Sequence, residues 1–398
     1  MGNDKPLRIL TVNSGSSSLK LAFYRMGPSE DRLLSIRVER IGIRDGSFHI
    51  SDGEGNSLVD EQRDLPDHDH ALASVFRWLE GRQEQEGLDA VGHRVVHGGI
   101  DHAEHGRIGP DLLSSLRELI PLAPDHLPHE IRAIEAVSRF SPHLEQVACF
   151  DTAFHRTMPR VAQLLPLPRN ILDRGVIRYG FHGLSYEYIM KELGREAGEE
   201  AARKRIVIAH LGNGASMAAV NGGRAVDTTM GFTPAGGLMM SSRSGDLDPG
   251  VLLYLLNELR YDPAALNDLV NKQAGLAGLS GSSPDMEDLL AREAEDSRAA
   301  DAVGLFCYQA RKFLGALSAV LGGLDVLVFT AGIGENSPEI RRRICEGMGY
   351  LGIGLDKERN DSGQSVISKD DMPVIVRVMK TNEELMIARH TRDVLRPH

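Results

Sequence analysis

Apolar residues fall in short runs separated by turns of small residues, and the spacing within each run predicts its element. Ile9-Leu10-Thr11-Val12 ends in Asn13-Ser14-Gly15-Ser16-Ser17-Ser18, and alternation resumes through Leu19, Leu21 and Phe23, which reads as strand, turn, strand. Strands are predicted over 33–41 and 48–50, closed by an Asp52-Gly53 turn, before helical spacing from Ala71 through Val75, Trp78 and Leu79. Further strands are expected over 90–96 and 146–150, and Pro110 and Pro128 suit helix first turns. The same grammar returns in the second half. A strand over 205–209, a turn His210-Leu211-Gly212-Asn213-Gly214, a strand over 217–220, an Asn221-Gly222-Gly223 hairpin turn and a strand over 224–228 follow one another. Helices over 249–260, 284–292 and 298–321, a strand over 325–329, a helix over 338–348, a strand over 374–379 and a last helix from 382 complete the pattern. A repeated strand-turn-strand unit, each copy followed by mixed helices and strands, predicts an α/β protein of two related lobes with a cleft between them.

Length and charge narrow the classes. At 398 residues the chain exceeds the usual domain of about 150, and 41% hydrophobic with 25% charged residues is ordinary for a globular protein. A net charge of −11 argues against coating nucleic acid or an anionic membrane, so an anionic substrate would need a local basic site. Cys149, Cys307 and Cys345 lack metal-ligand spacing and are expected as buried, reduced thiols. The segment Met1-Gly2-Asn3-Asp4-Lys5-Pro6 has no apolar signal core, which gives the expectation of a cytoplasmic protein. Residues 313–329 are interrupted by Gly322-Gly323 and Asp325 and read as a core helix and a buried strand, with no membrane span.

Three segments have the chemistry of phosphate or nucleotide contact. In Asn13 to Lys20 the small residues admit close backbone approach, Ser16 and Ser18 add hydroxyl donors, Lys20 adds a cation and Asn13 a neutral oxygen for a hydrated metal. A hairpin solvated by serines explains the same residues, and no Gly-x-x-x-x-Gly-Lys loop is present. His210-Leu211-Gly212-Asn213-Gly214 occupies the corresponding turn of the second half. Ala331-Gly332-Ile333-Gly334-Glu335-Asn336 follows an apolar strand and leads to a helix capped by Ser337 with Pro338 in its first turn; close backbone approach to a ribose or purine explains its glycines, and so does a plain strand-to-helix turn. A Rossmann reading fails there, because the third glycine is missing.

Taken together with Gly92-His93-Arg94-Val95-Val96-His97-Gly98-Gly99, Phe150-Asp151-Thr152-Ala153-Phe154-His155, Tyr179-Gly180-Phe181-His182-Gly183, Arg243-Ser244-Gly245-Asp246-Leu247-Asp248-Pro249 and Thr381-Asn382-Glu383-Glu384-Leu385, these segments closely resemble the acetate kinase family in content and order. The resemblance covers essentially the whole chain. It implies the actin-like ATPase (ribonuclease H-like) fold in two lobes with an interlobe active-site cleft. The lobes would be 1–151, completed by a C-terminal helix over 382–398, and 152–381, which binds nucleotide and dimerises. It also implies Mg2+-dependent, reversible transfer of the ATP γ-phosphoryl group to acetate by direct in-line transfer, with Mn2+ able to substitute, in a homodimer without nucleic-acid or membrane partners.

By that resemblance Asp151, His182 and Arg243 are catalytic. Arg94, Val96, His126, Phe181 and Pro234 bind the acyl acceptor, and Asn13 and Glu383 hold the metal. ATP is met by Ser16, Ser18, Lys20, His210, Leu211, Gly212, Asn213, Gly214, Asp285, Met286, Glu287, Gly332, Ile333, Gly334, Glu335 and Asn336. The chemistry agrees with these roles: a carboxylate with a pKa of about 4 is already a nucleophile at neutral pH, so alignment and charge neutralisation are what remain to be supplied. A propionate or other short-chain kinase is the nearest alternative. A non-kinase actin-like ATPase would have no use for a carboxylate clamp of Arg94, His182 and Arg243, and a sugar kinase would need Asp151 as a base and a wide polar pocket.

The chain departs from the family's pattern at several places. Asp125 stands where the family has a leucine in its acyl pocket, and an unpaired carboxylate there is costly, so Asp125 is expected to turn away, pair or be protonated. Leu127, Ala235-Gly236 and Ser241-Ser242 also differ, and Glu287 replaces an arginine in the adenosine segment. Thr381 with Glu384 reads as a capping box, and His68, His70, His102 and His105 are expected in solvated loops.

Overall fold

The computed structural model describes residues 5–15, 17–81 and 87–396. The chain forms two compact units, one of Met1–Ala153 with Asn382–His398 and one of Phe154–Thr381.

In the first unit, β1 (Leu7–Ser14), β2 (Ser18–Met26), β3 (Glu30–Glu39), β4 (Gly46–Asp52), β5 (Ser57–Arg63), β6 (Ala90–Val95), β7 (Gly106–Arg107) and β8 (Glu145–Phe150) form one sheet, in the order β5-β4-β3-β2-β1-β6-β8-β7. β1 to β5 pair antiparallel, while β1, β6 and β8 run parallel. The turn after β1 is closed by Gly15 N–H donating to the Ser18 carbonyl at 2.8 Å, and Asn13 lies opposite Lys20 across the hairpin. β5 escapes the periodicity because this edge strand is largely exposed and carries Asp60-Glu61-Gln62-Arg63 instead of an apolar alternation.

One sheet face packs Leu10, Val12, Leu21, Ile36 and Phe48 against Leu72, Val75, Phe76, Ala133 and Val137 of the helices His68–Glu80 and Leu127–Phe140. The other face receives the C-terminal helix Glu383–Leu395, which buries Met386, Ile387 and Ala388. That helix lies so close to β6 that a Cβ on Gly92 would come 2.1 Å from Thr391 Oγ1.

In the second unit, β9 (Ile206–Leu211), β10 (Ala215–Asn221), β11 (Arg224–Thr228), β12 (Val326–Thr330) and β13 (Ile375–Val378) order as β11-β10-β9-β12-β13. The three strands β11, β10 and β9 pair antiparallel, and β9, β12 and β13 run parallel. This matches β3-β2-β1-β6-β8 of the first unit in order and direction, so the repeated sequence grammar reflects two copies of one five-stranded plan. β9 and β12 are buried throughout, which accounts for their unbroken apolar runs.

Three local expectations are corrected. Residues 331–336 form the short helix Ala331–Asn336, because Ala331 adopts φ 64° and its N–H donates to Glu335 Oε1 at 2.8 Å, starting a helical turn where a loop was expected. The C-terminal helix is capped by Asn382, whose Oδ1 accepts from Leu385 N–H at 3.0 Å, instead of by Thr381 and Glu384. Thr381 Oγ1 instead bonds Ser185 Oγ at 2.8 Å. The histidines are not all solvated. His68 is buried in the first turn of its helix and donates through Nε2 to the Gly15 carbonyl at 2.7 Å, His102 stacks on Phe150, and His105 Nδ1 accepts from Phe150 N–H at 3.0 Å. His70 is exposed, but in the same helix as His68. No described helix is long and apolar enough to cross a membrane.

Candidate active site

In the first unit the polar residues converge on Arg94 of β6. Its Nε and Nη2 donate to Oδ2 of the fully buried Asp151 at 3.0 and 2.5 Å, and its Nη1 donates to Asn13 Oδ1 at 3.3 Å. Asp151 sits here because its N–H continues the β6–β8 ladder onto the Val95 carbonyl at 3.0 Å. Asn13 Nδ2 donates to Oε2 of Glu383, at 3.5 Å, in the first turn of the C-terminal helix. A guanidinium has five N–H donors. The three bonds named leave one on each terminal nitrogen, the geometry of a fork for a carboxylate.

The electrostatics are those of one buried cation among acids. Burial alone would depress the Arg94 guanidinium, but the charges of Asp151, Glu383 and Glu130 raise it. Burial pushes the Glu383 carboxyl up to about 7, with Arg94 pulling it down and Asp151 pushing it further up. Glu130 rises to about 8 by the same burial, against Arg94 and the Val96 N–H bond. Asp151 Oδ1 is buried without a hydrogen-bond partner among the described residues, and with Asn13 and Glu383 it offers an all-oxygen donor set suited to Mg2+.

In the second unit the residues gather over the turn between β9 and β10. A Cβ on Gly214 would lie 3.0 Å from His182 Nε2 and 3.8 Å from Arg243 Nη1, so both side chains come together at this glycine. Arg243 Nη1 is steered by the Pro234 carbonyl at 3.0 Å. His182 adopts φ 60°, a left-handed conformation rare for a residue with a Cβ, at the N-terminus of the helix Gly183–Ala197. Two contacts hold it there. His182 Nδ1 bonds Ser216 Oγ at 2.8 Å, with Tyr186 Oη on the same hydroxyl, and the buried His155 donates through Nε2 to the Phe181 carbonyl at 2.9 Å. Burial lowers His155 to about 4, which keeps it neutral for that bond. His182 also stacks on His210 at 4.2 Å, and His210 Nδ1 bonds Ser185 Oγ at 2.8 Å.

The third glycine segment joins this turn. A Cβ on Gly212 would meet Ala331 Cβ at 3.5 Å and Gly332 N at 3.7 Å. Glu335 Oε1 is engaged by Thr330 Oγ1, Ala331 N–H and Thr381 N–H, so it shapes the backbone here.

The remaining residues expected at the site are distributed between the units. Val96 and His126 lie in the first, with Val96 buried and His126 at the start of the helix Leu127–Phe140. Phe181 and Pro234 lie buried in the second. Asp285 uses its carboxylate to cap its own helix, accepting from Glu287 and Asp288 N–H, while Met286 is buried and Glu287 exposed. Ser18 and Lys20 lie on β2, Lys20 exposed, whereas Ser16 lies outside the described residues. Asp125 is half-buried, and its charge acts on the His129 imidazole. Glu130, His155, Ser185 and Ser216 were not singled out by sequence reasoning. Only His155, three residues past Thr152 and the last residue of the Phe150 to His155 segment, carried any signal, and it was given no role.

A family model for the acetokinase family matches residues 8–389. The chain is similar to an acetate kinase of Rhodopseudomonas palustris strain TIE-1, 46% identical over 390 residues, 96% of this chain and 97% of that protein. An acetate kinase of Methylocella silvestris is 43% identical over 397 residues, 97% of this chain and 98% of that protein. Among solved structures, an acetate kinase of Porphyromonas gingivalis superposes with a TM-score of 0.88 at 37% identity, over 98% of this chain and 100% of that one. A propionate kinase of Francisella tularensis superposes at 0.91 and 33% identity, over 96% and 98%.

Proposed function

Because this chain belongs to the acetokinase family and transfers a phosphoryl group from ATP to acetate, we propose that its first unit holds the acceptor and the metal while its second holds the phosphates. The observation that carries this reading is Arg94, pre-oriented by Asp151 and Asn13 with one N–H left on each terminal nitrogen. That fork grips the acetate carboxylate, with Val96 and His126 of the same unit as further acceptor contacts; Phe181 and Pro234 are the acceptor contacts expected from the second unit. Acetate is ionised at neutral pH, its pKa being about 4 to 5 as for side-chain carboxylates, so no base is needed. Asp151 therefore orients the arginine.

His210 to Gly214 cradle the β- and γ-phosphates through backbone N–H groups, with Ser16, Ser18 and Lys20 as further contacts. Arg243 and the Nε2 edge of His182 stabilise the equatorial oxygens of the phosphoryl group in flight. The segment Gly332, Ile333, Gly334, Glu335 and Asn336, with Asp285, Met286 and Glu287, meets the nucleoside. Asn13, Glu383 and the unpartnered Asp151 Oδ1 fit Mg2+, which when bound neutralises phosphate charge; Mn2+ suits the same oxygens.

The helix Pro249–Asn257 buries none of its own apolar side chains, leaving Val251, Leu253 and Tyr254 exposed, and this supports a homodimer through that face. Three free, buried cysteines suit a reducing cytoplasm. The test is acyl phosphate formation trapped as hydroxamate. Arg94→Lys keeps the charge but loses the fork, and should raise KM for acetate while leaving KM for ATP in place. An unchanged KM for acetate would overturn the assignment.

A further inference from the structure

Glu130 is 2% exposed, in the first turn of the helix Leu127–Phe140. Its Oε2 accepts the Val96 N–H at 3.0 Å, and its Oε1 has no hydrogen-bond partner among the described residues. The place of that bond explains why it matters. β6 ends at Val95, whose carbonyl still accepts from Asp151, so Val96 is the first residue whose N–H the ladder no longer satisfies. A buried N–H must find an acceptor, and here one side chain supplies it at the point where the chain leaves the sheet. Arg94 lies two residues earlier, close enough that its charge pulls the Glu130 carboxyl down against the effect of burial.

We propose that Glu130 is a positioning residue for the acyl acceptor: by holding the Val96 backbone it sets where the Val96 side chain and the Arg94 fork meet the substrate. This rests on the reading of Arg94 and Val96 as acceptor residues. A residue that served only folding would lower stability without choosing between the two substrates.

The experiment compares Glu130→Leu, which removes the acceptor, with Glu130→Gln, which keeps a carbonyl oxygen for the Val96 N–H. Arg94→Lys runs in parallel, and kcat and both KM values are measured for the full-length enzyme. Glu130→Leu should raise KM for acetate about tenfold, the scale of one lost buried hydrogen-bond partner, with KM for ATP unchanged, and Glu130→Gln should restore most of it. Glu130→Ala gives the same comparison if leucine prevents folding. The inference is overturned if the truncations raise both KM values together, leave KM for acetate unchanged, or are not rescued by glutamine. If Arg94→Lys raises KM for acetate while Glu130→Leu does not, only this inference fails; if neither does, the acceptor site itself is wrongly assigned.

Discussion

The two units share one five-stranded plan, yet the polar residues that each gathers are held in opposite ways. The first surrounds the mostly buried Arg94 with the buried Asp151 and Glu130 and the half-buried Glu383, and leaves an oxygen of Asp151 and one of Glu130 without hydrogen-bond partners among the described residues. The second braces its side chains with neutral partners: Ser216 and Tyr186 on His182, Ser185 on His210, the Pro234 carbonyl on Arg243, and backbone bent to left-handed φ at Gly180, His182 and Ala331. A buried charge is stable only when its partners are fixed, so the first unit's site is rigid by electrostatics. Strained backbone persists only when packing over-determines it, so the second unit's site is rigid by shape. A charge change should therefore damage the first most, and an added methyl group the second.

The largest expected effect is Arg94→Ala, which strands the Asp151 carboxylate and removes the fork. We expect kcat/KM for acetate to fall about 1,000-fold or more, the scale of a lost transition-state or orienting contact, in steady-state hydroxamate assays. Near-wild-type activity would show that the charge cluster is not the acceptor site.

Next is Gly214→Ala, a test of shape without charge. The new Cβ would press on His182 Nε2 and come into ordinary contact with Arg243 Nη1, and kcat should drop on the order of 10- to 100-fold while KM for acetate holds. Should KM for acetate rise instead, the division of labour between the units is wrong. Ser216→Ala, which removes the hydroxyl on His182 Nδ1, should lower kcat by about tenfold through the same route.

A smaller effect lies in stability against pH, followed by thermal unfolding. Glu130 and Glu383 have native pKa values raised to about 8 and about 7 from 4.5. The native state then binds more protons than the unfolded chain between those values, so their contribution is lost as pH rises from about 4.5 through 8. Glu130→Gln should flatten that alkaline fall in Tm. His155, lowered to about 4 from 6.5, acts the other way: its contribution is present above pH 6.5 and lost as pH falls toward 4. A Tm that rises steadily up to pH 9 would contradict the first part.

The smallest effect is expected at Asp125→Leu. Because Asp125 is half-buried and its charge acts on His129, KM for acetate should change less than about threefold, as for ordinary surface changes. Assayed against acetate, propionate and butyrate, a switch in preferred acid would place Asp125 in the pocket after all.

Legibility differed with the range of the interaction. All strands but β5 and the two-residue β7 were readable because alternation, Gly-rich turns and apolar runs are properties of neighbouring residues. Asn382 as the helix cap, Ala331 starting a helical turn and His68 clamping Gly15 were not, because each depends on a partner whose position is set by packing. β5 was invisible for the converse reason: an exposed edge strand need not alternate.

The sequence by itself determined the two copies of the strand-turn-strand unit and the small, polar residues at their turns, since backbone preference and hydrophobic period act locally. It also carried the ordered motifs that mark the family. Only the tertiary structure decided that Asn13 meets Glu383 across 370 positions, that Arg94 forks onto Asp151, that Glu130 takes the Val96 N–H, and that His182 and Arg243 converge on Gly214. Those are distances between distant parts of the chain. They come into being when sheets and helices pack, because burial decides which polar groups must find partners and which charges must share a site.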